Sequence, residues 1–76
     1  MNEEHLIGVF RKALVAARAR DEESLGRAVQ TAEVGDVRFF LDEIARCDSL
    51  LRDEKRLSAL AREVLAARVR ENLGVT

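Results

Sequence analysis

Proline is absent from all 76 residues. This absence restricts the fold more than any other feature, because proline interrupts helices by removing a hydrogen bond and clashing with the preceding turn. Alanine and leucine, both strong helix formers, are the most frequent apolar residues. Apolar side chains recur at spacings of three and four, and no segment alternates with period two over the length of a strand. The sequence therefore predicts an all-α fold.

Amphipathic stripes divide the chain into four predicted helices. Each stripe supplies one apolar face, and a chain of this length holds one domain at most. We expect residues 1–76 to form that single domain. Its predicted architecture is a compact bundle of three to four helices, at approximately 3–21, 24–34, 36–51 and 55–73.

Polar residues and a glycine mark the predicted ends of the first helices. Asn2 is suited to cap the first helix and Ser24 or Asp21 the second, because their side-chain oxygens accept hydrogen bonds from free amides. Gly35 is placed to end the second helix in the left-handed conformation. Asp36 follows at once and is suited to cap the third helix.

The last predicted break lies in the charged run 52–56. Apolar residues spaced by three and four run from Val37 to Leu51, and the next one is Leu57, six residues further on. A straight helix would rotate its apolar face at this jump, so we predict a turn or kink there. Neither glycine nor proline marks the place, and one continuous bent helix over 36–73 is the alternative.

The charge balance bears on partners and location. Thirteen basic residues against fourteen acidic ones give a net charge of −1, so a partner attracted by bulk charge, such as nucleic acid or an anionic membrane, is not expected. No apolar run approaches the length that spans a bilayer, and the acidic start does not resemble a secretory leader. A lone cysteine suits a reducing compartment. We expect a cytoplasmic protein, and the excess of arginine over lysine favours a bacterial source.

Residues that could carry catalysis or hold a cofactor do not cluster in the sequence. His5 has no second histidine or cysteine nearby to complete a metal site. Cys47 has no adjacent histidine to activate it, and it falls on an apolar helix face, where it is expected to be an inert buried thiol. The sequence predicts a non-enzymatic protein without a catalytic, metal or cofactor site.

Two helices carry more apolar surface than one packing partner needs. Phe39 lies opposite the main stripe of the third helix, and Leu50 projects toward the same side. On the last helix, Val69 and Leu73 widen the apolar arc. We interpret these four residues as a protein interface, since aromatic and aliphatic anchors are favoured at the centre of contacts. Their burial within one bundle is the alternative interpretation.

The expected function follows from that excess of apolar surface. The sequence favours a small protein–protein interaction and oligomerisation module, adaptor or regulatory in role, which binds through an apolar helix face. A chain of this length is near the lower limit for a self-sufficient core. The expected partners are therefore a second copy of the chain, as a homodimer or higher oligomer, and another protein.

A DNA-binding transcriptional regulator is the alternative function. Residues 24–34 and 36–47 would be the supporting and recognition helices of a helix-turn-helix. A recognition helix needs polar side chains near its start to reach base edges. The residues at that position are mostly apolar, and Arg38 is the one basic side chain among Val37, Arg38, Phe39 and Phe40.

Asp48, Ser49 and Leu50 form a triplet that resembles the attachment site of acyl and peptidyl carrier proteins. In these small acidic four-helix domains, a phosphopantetheine arm is attached to the serine at a helix start. The resemblance implies modification of Ser49. It covers three residues, and Arg46 stands where the family usually has glycine. A carrier protein is therefore the remote alternative.

Overall fold

A computed structural model describes residues 2–74, and the side chains of residues 72 and 73 lie outside that description. Three α-helices follow one another: α1 (Glu3–Gln30), α2 (Val34–Arg52) and α3 (Glu54–Gly74). No strand occurs within the described range. The predicted all-α helical bundle is confirmed, and it has three helices.

The first helix is longer than predicted. α1 runs without interruption from Glu3 to Gln30, so the expected separate helices over 3–21 and 24–34 are wrong. The acidic segment 21–24 lies in the middle of α1, where Glu22 forms an (i, i+4) ion pair with Arg18 on the preceding turn, a pairing compatible with a helix interior. At the N-terminus, the Asn2 side chain accepts a hydrogen bond of 2.8 Å from the His5 amide, and the predicted cap is confirmed.

α1 ends in a Schellman motif built without glycine. The Glu33 amide donates to the Ala28 carbonyl at 3.1 Å, and the Ala32 amide donates to the Val29 carbonyl at 3.2 Å. Ala32 takes the left-handed conformation, with φ of 56°, at the position that usually holds glycine. The three residues from Thr31 to Glu33 therefore reverse the chain.

The roles predicted for Gly35 and Asp36 are wrong. Both residues lie in the first turn of α2, and Glu33 is the N-cap. Because Ala32 already provides the left-handed residue that ends α1, Gly35 is free to be helical. Asp36 still contributes a negative charge to the first turn of α2, where the helix dipole favours it.

The break between α2 and α3 is at a single residue, Asp53. Its backbone has φ −105° and ψ 84°, and its side chain accepts a hydrogen bond of 3.1 Å from the Arg56 amide. This is the N-cap geometry expected of an aspartate. The predicted break within 52–56 is confirmed as two separate helices, and the alternative of one continuous bent helix is wrong.

α2 and α3 both run back along α1, in the opposite direction to it. Three ion pairs fix the register: Arg18 Nε to Asp48 Oδ1 at 2.6 Å, Arg11 to Glu54 at 2.6 Å, and Arg62 to Glu3 at 3.5 Å. Along one common direction, residue numbers increase in α2 and α3 and decrease in α1. The molecule is therefore a long helix packed against two shorter helices placed end to end.

The C-terminal half of α3 extends beyond the start of α1. Arg62 is level with Glu3, and α1 begins at Glu3. The remainder of α3, from about residue 65 to Gly74, therefore has no part of α1 beside it. We call this segment, residues 65–74, the α3 extension. It contributes to an elongated outline of 53 × 28 × 15 Å.

The buried core is small. Five apolar residues are buried among the described side chains: Leu6, Ala28, Cys47, Leu57 and Ala61. A compact monomer of this mass exposes about 4,700 Å², whereas this chain exposes 5964 Å², an excess of about 1,300 Å². The radius of gyration of 16.4 Å likewise exceeds the roughly 11 Å of a compact domain of this length. Much apolar surface is thus left uncovered by the fold.

Replacement of Gly26 by alanine is expected to stabilise the chain by about 0.5–1 kcal/mol, because glycine in a helix interior costs backbone entropy. A Cβ at Gly26 would meet no atom within 4 Å, so no clash offsets the gain. Gly8→Ala is the matched variant in the same helix, also in open space. Urea unfolding measures both changes. A loss of stability for Gly26→Ala alone would contradict the continuous α1.

Candidate functional site

Arg18 joins α1 to α2 at the middle of the molecule. Its guanidinium donates to Asp48 across the helix pair and to Glu22 on its own helix. These two hydrogen bonds, Asp48 first, raise the pKa of Arg18. Because Arg18 and Asp48 must lie on the same side of the α1–α2 pair to meet, they identify one side of the molecule. We call it the Arg18 side.

Apolar residues continue the Arg18 side toward the turn. Positions 7, 11 and 14 residues apart on a helix lie on nearly the same face, after two, three and four turns. From Arg18 these steps lead along α1, and from Asp48 they lead back along α2. Five residues within the two helices are reached in this way, two on α1 and three on α2. We call them the hairpin patch: Leu25, Val29, Val34, Val37 and Leu41.

The hairpin patch is largely open to solvent. Val34 is 80% exposed, Val29 59% and Leu41 52%, while Leu25 and Val37 are half-buried. Isolated exposed valines and leucines are ordinary on protein surfaces, but a contiguous group of them indicates a contact site. By its spacing, Leu41 belongs to the apolar stripe that runs from Val37 to Leu51. A helix pair covers the centre of such stripes and leaves their margins open.

Phe39 and Leu50 lie on the opposite side of α2, as predicted. Phe39 is 56% exposed, and its ring packs edge-on against the ring of Phe40, with centroids 5.2 Å apart. Leu50 lies three turns further along and is half-buried. The predicted exposure of Phe39 is therefore observed, and neither α1 nor α3 covers this residue.

Val69 and Leu73 do not join Phe39 in one surface. Val69 lies in the α3 extension and is 57% exposed. The α3 extension and Phe39 lie toward opposite ends of a molecule that is 53 Å long. It is seven residues beyond Arg62 and so continues the side on which Arg62 pairs with Glu3. The side chain of Leu73 lies outside the described residues. The four predicted interface residues thus fall into at least two separate places.

Charge is distributed unevenly between the two ends. The turn end, residues 19–47, carries seven acidic and four basic side chains. The whole of α3 carries three acidic and five basic ones. An elongated molecule with an acidic turn end and a basic α3 attracts an opposite charge distribution at each end.

An open depression of about 240 Å³ lies beside the turn. Its lining includes Ser24, Arg27, Glu33 and Asp36. A hydrogen bond with Asp36, followed by the negative charge of Asp36, raises the pKa of Glu33. Both carboxyl groups are exposed, and the lining holds no histidine, lysine or cysteine beside the serine.

Cys47 is buried in α2, as expected from its place on the apolar face. Burial is the main cause that raises the pKa of its thiol, and the nearby carboxylates of Asp21, Glu43 and Asp48 add to it. The folded chain thus disfavours the thiolate. The unfolded chain begins to form it at a lower pH than the folded chain does. The stability that Cys47 contributes is complete below the unfolded pKa and is lost as the pH rises through the folded one.

Alkylation of Cys47 by iodoacetamide at neutral pH is expected to be slower in the folded chain than in urea, on the order of a hundredfold, because the thiol is buried and protonated. A variant that combines Cys47→Ala with Ser49→Cys is the control, since position 49 is exposed. Mass spectrometry follows both reactions. Equal rates for the two cysteines in the folded state would contradict the burial of Cys47.

The DNA-binding and carrier-protein alternatives each require helix boundaries that differ from those of the structure. Residues 24–34 are not a separate supporting helix, because 24–30 belong to α1, and α2 runs back along α1 with Asp48 paired to Arg18. Ser49 is exposed, but it lies in the last turns of α2 rather than at a helix start. The helix-turn-helix arrangement and the carrier-type serine position are therefore absent.

Comparison with known protein families, curated protein sequences and solved structures finds no match to this chain. Within residues 2–74, no helix has the length and apolar character needed to cross a membrane. The same residues contain no group of three or more histidine, cysteine, aspartate or glutamate side chains placed to hold a metal ion.

Proposed function

We propose that this chain is a small, non-enzymatic interaction and oligomerisation module that works in the bacterial cytoplasm. It associates with protein chains, a second copy among them, and serves as an adaptor or regulatory component. Its contact surfaces are the hairpin patch and the residues named from the sequence: Phe39, Leu50, Val69 and Leu73.

The uncovered apolar surface supports this proposal most strongly. The chain exposes about 1,300 Å² more than a compact monomer of its mass, and the most exposed large side chains include Val34, Phe39, Leu41 and Val69. Water-exposed apolar area is costly, at about 25 cal/mol per Å², and association removes it from water. A standard protein interface buries about 800 Å² on each partner, and the elongated outline of 53 × 28 × 15 Å gives the chain a side long enough for a contact of this size.

Sedimentation equilibrium tests the proposal. We expect a mass above the 8.5 kDa of the single chain at micromolar concentration. The double variant Phe39→Ser/Leu41→Ser should be monomeric at the same concentration, because it removes two large apolar side chains that are more than half exposed. The double variant Ala19→Ser/Ala59→Ser, at two exposed alanines outside the proposed contact surfaces, is the control and should associate like the original chain.

The opposite result is equally clear. A stable monomer at micromolar concentration, with stability and solubility unchanged in the Phe39→Ser/Leu41→Ser variant, would contradict the proposed function. Circular dichroism on the same samples verifies that each variant keeps its helices, so that loss of association is not mistaken for loss of fold.

A further inference from the structure

We infer that a second copy of the chain covers the hairpin patch, in an antiparallel arrangement where the α3 extension of each copy lies against the hairpin patch of the other. This inference rests on the proposed function and specifies its partner and geometry. Three observations support it: the apolar residues along the Arg18 side, the unequal charges of the two ends, and the size of the side that the chain leaves uncovered.

The hairpin patch lies beside the turn on the Arg18 side. Arg11 is seven residues before Arg18, so its ion pair with Glu54 lies on this side as well. Val69, four turns beyond Glu54 in the α3 extension, lies within about 60° of the same side. A twofold axis near the Arg11–Glu54 ion pair, at the middle of this side, exchanges the two ends. One symmetric contact therefore brings Val69 of each copy onto the hairpin patch of the other. Such self-complementary contacts are the usual form of homodimers.

The charges favour this direction over the other. Two turn ends placed together would bring seven acidic and four basic side chains of one copy against the same set of its partner. The antiparallel arrangement instead places the basic α3 of one copy, five basic against three acidic, beside the acidic turn end of the other. Complementary charge selects orientation and disfavours the like-charged alternative.

The uncovered area fits one partner copy. A standard interface covers about 800 Å² on each copy, and the long side of a chain whose outline is 53 × 28 × 15 Å provides that area. Permanent homodimer interfaces resemble a domain core divided between two chains. A core of five buried residues in each chain is consistent with this division.

Cross-linking between two different cysteine variants tests the arrangement. The variants are Val29→Cys in the hairpin patch and Val69→Cys in the α3 extension. Cysteine is small and apolar, so both variants preserve the apolar character of the surface. A mixture of the two, treated with a short bis-maleimide, should give a cross-linked dimer. The chain with Cys47 alone is the control, because this thiol is buried.

Each variant treated by itself should remain uncross-linked, since the antiparallel arrangement places two copies of residue 29 about 50 Å apart along the helix axes. A cross-link of Val29→Cys with itself would show contact between turn ends and overturn the inference, while the proposed function would stand. A dimer by sedimentation without a cross-link in the mixture would do the same. A monomer by sedimentation would overturn the inference, and a monomer together with unchanged stability and solubility of the Phe39→Ser/Leu41→Ser variant would overturn the proposed function as well.

Ionic strength gives a second readout on the unmodified chain. If opposite charges orient the copies, raising the salt concentration should weaken the dimer, because exposed charges more than a Debye length apart are screened. A dimer that is equally tight or tighter at high salt would contradict the charge argument. The expected change is a dissociation constant about tenfold larger, equivalent to about 1.4 kcal/mol.

Discussion

Truncation of Leu57 to alanine should lower the free energy of unfolding by about 2–5 kcal/mol, the range for large-to-small changes at buried leucines. Leu57 is 1% exposed and is the largest fully buried side chain described. A chain of this length has a total stability of about 4–11 kcal/mol. The variant is therefore expected to lose a large part of its folded population, as measured by urea unfolding.

The control is Leu60→Ala, three residues further along α3, where the leucine is 37% exposed. The loss of stability in this variant should be clearly smaller. Less of the Leu60 side chain is buried on folding, and its truncation leaves little cavity. Both variants must be compared at one protein concentration, because association adds to apparent stability. Equal losses at positions 57 and 60 would contradict the placement of the core between α1 and α3.

Enlargement of Ala61 to leucine should destabilise the chain by about 1–3 kcal/mol, because extra methyl groups in a filled site force side chains and backbone apart. Ala61 is fully buried, at 0% exposed, and lies one residue before Arg62, which pairs with Glu3 of α1. A larger side chain there must push α3 away from α1. Thermal and urea unfolding both report the loss.

Ala59→Leu provides the matched control in the same helix, at an exposed position outside the α3 extension. Alanine and leucine have similar helix propensities, and surface changes usually remain within about 0.5 kcal/mol. A variant at position 61 as stable as the one at position 59 would show that α3 does not pack closely on α1.

Local capping signals explain which helix ends the sequence could predict. Asn2 and Asp53 each accept a hydrogen bond from an amide three residues ahead, and this interaction is contained within four consecutive residues. The acidic segment 21–24 carries no such distinguishing signal, because acidic residues suit a helix start and also form ion pairs inside a helix. In the folded chain Glu22 of this segment pairs with Arg18, which also reaches Asp48 30 residues away.

The contact surface was less predictable than the fold, for a geometric reason. Periodicity identifies an apolar stripe, but the part of the stripe that is covered depends on how many helices pack against it and in which register. Leu41 had the spacing of a core residue and is 52% exposed. Phe39 was recognisable because it lies opposite the stripe, where no register of a helix pair could bury it.

The spacing of the three cross-helix ion pairs along the chain also sets an order of events in folding. The turn at Ala32 joins α1 to α2 through three residues, and the ion-paired residues Arg18 and Asp48 are 30 residues apart in the chain. Arg11 and Glu54, which join α1 to α3, are 43 residues apart. Contacts between elements joined by a short turn form more readily than contacts between distant parts of a chain, so we expect α1 and α2 to pair first and α3 to dock last. Amide hydrogens of α3 should then exchange with solvent soonest, through openings that leave the α1–α2 pair intact.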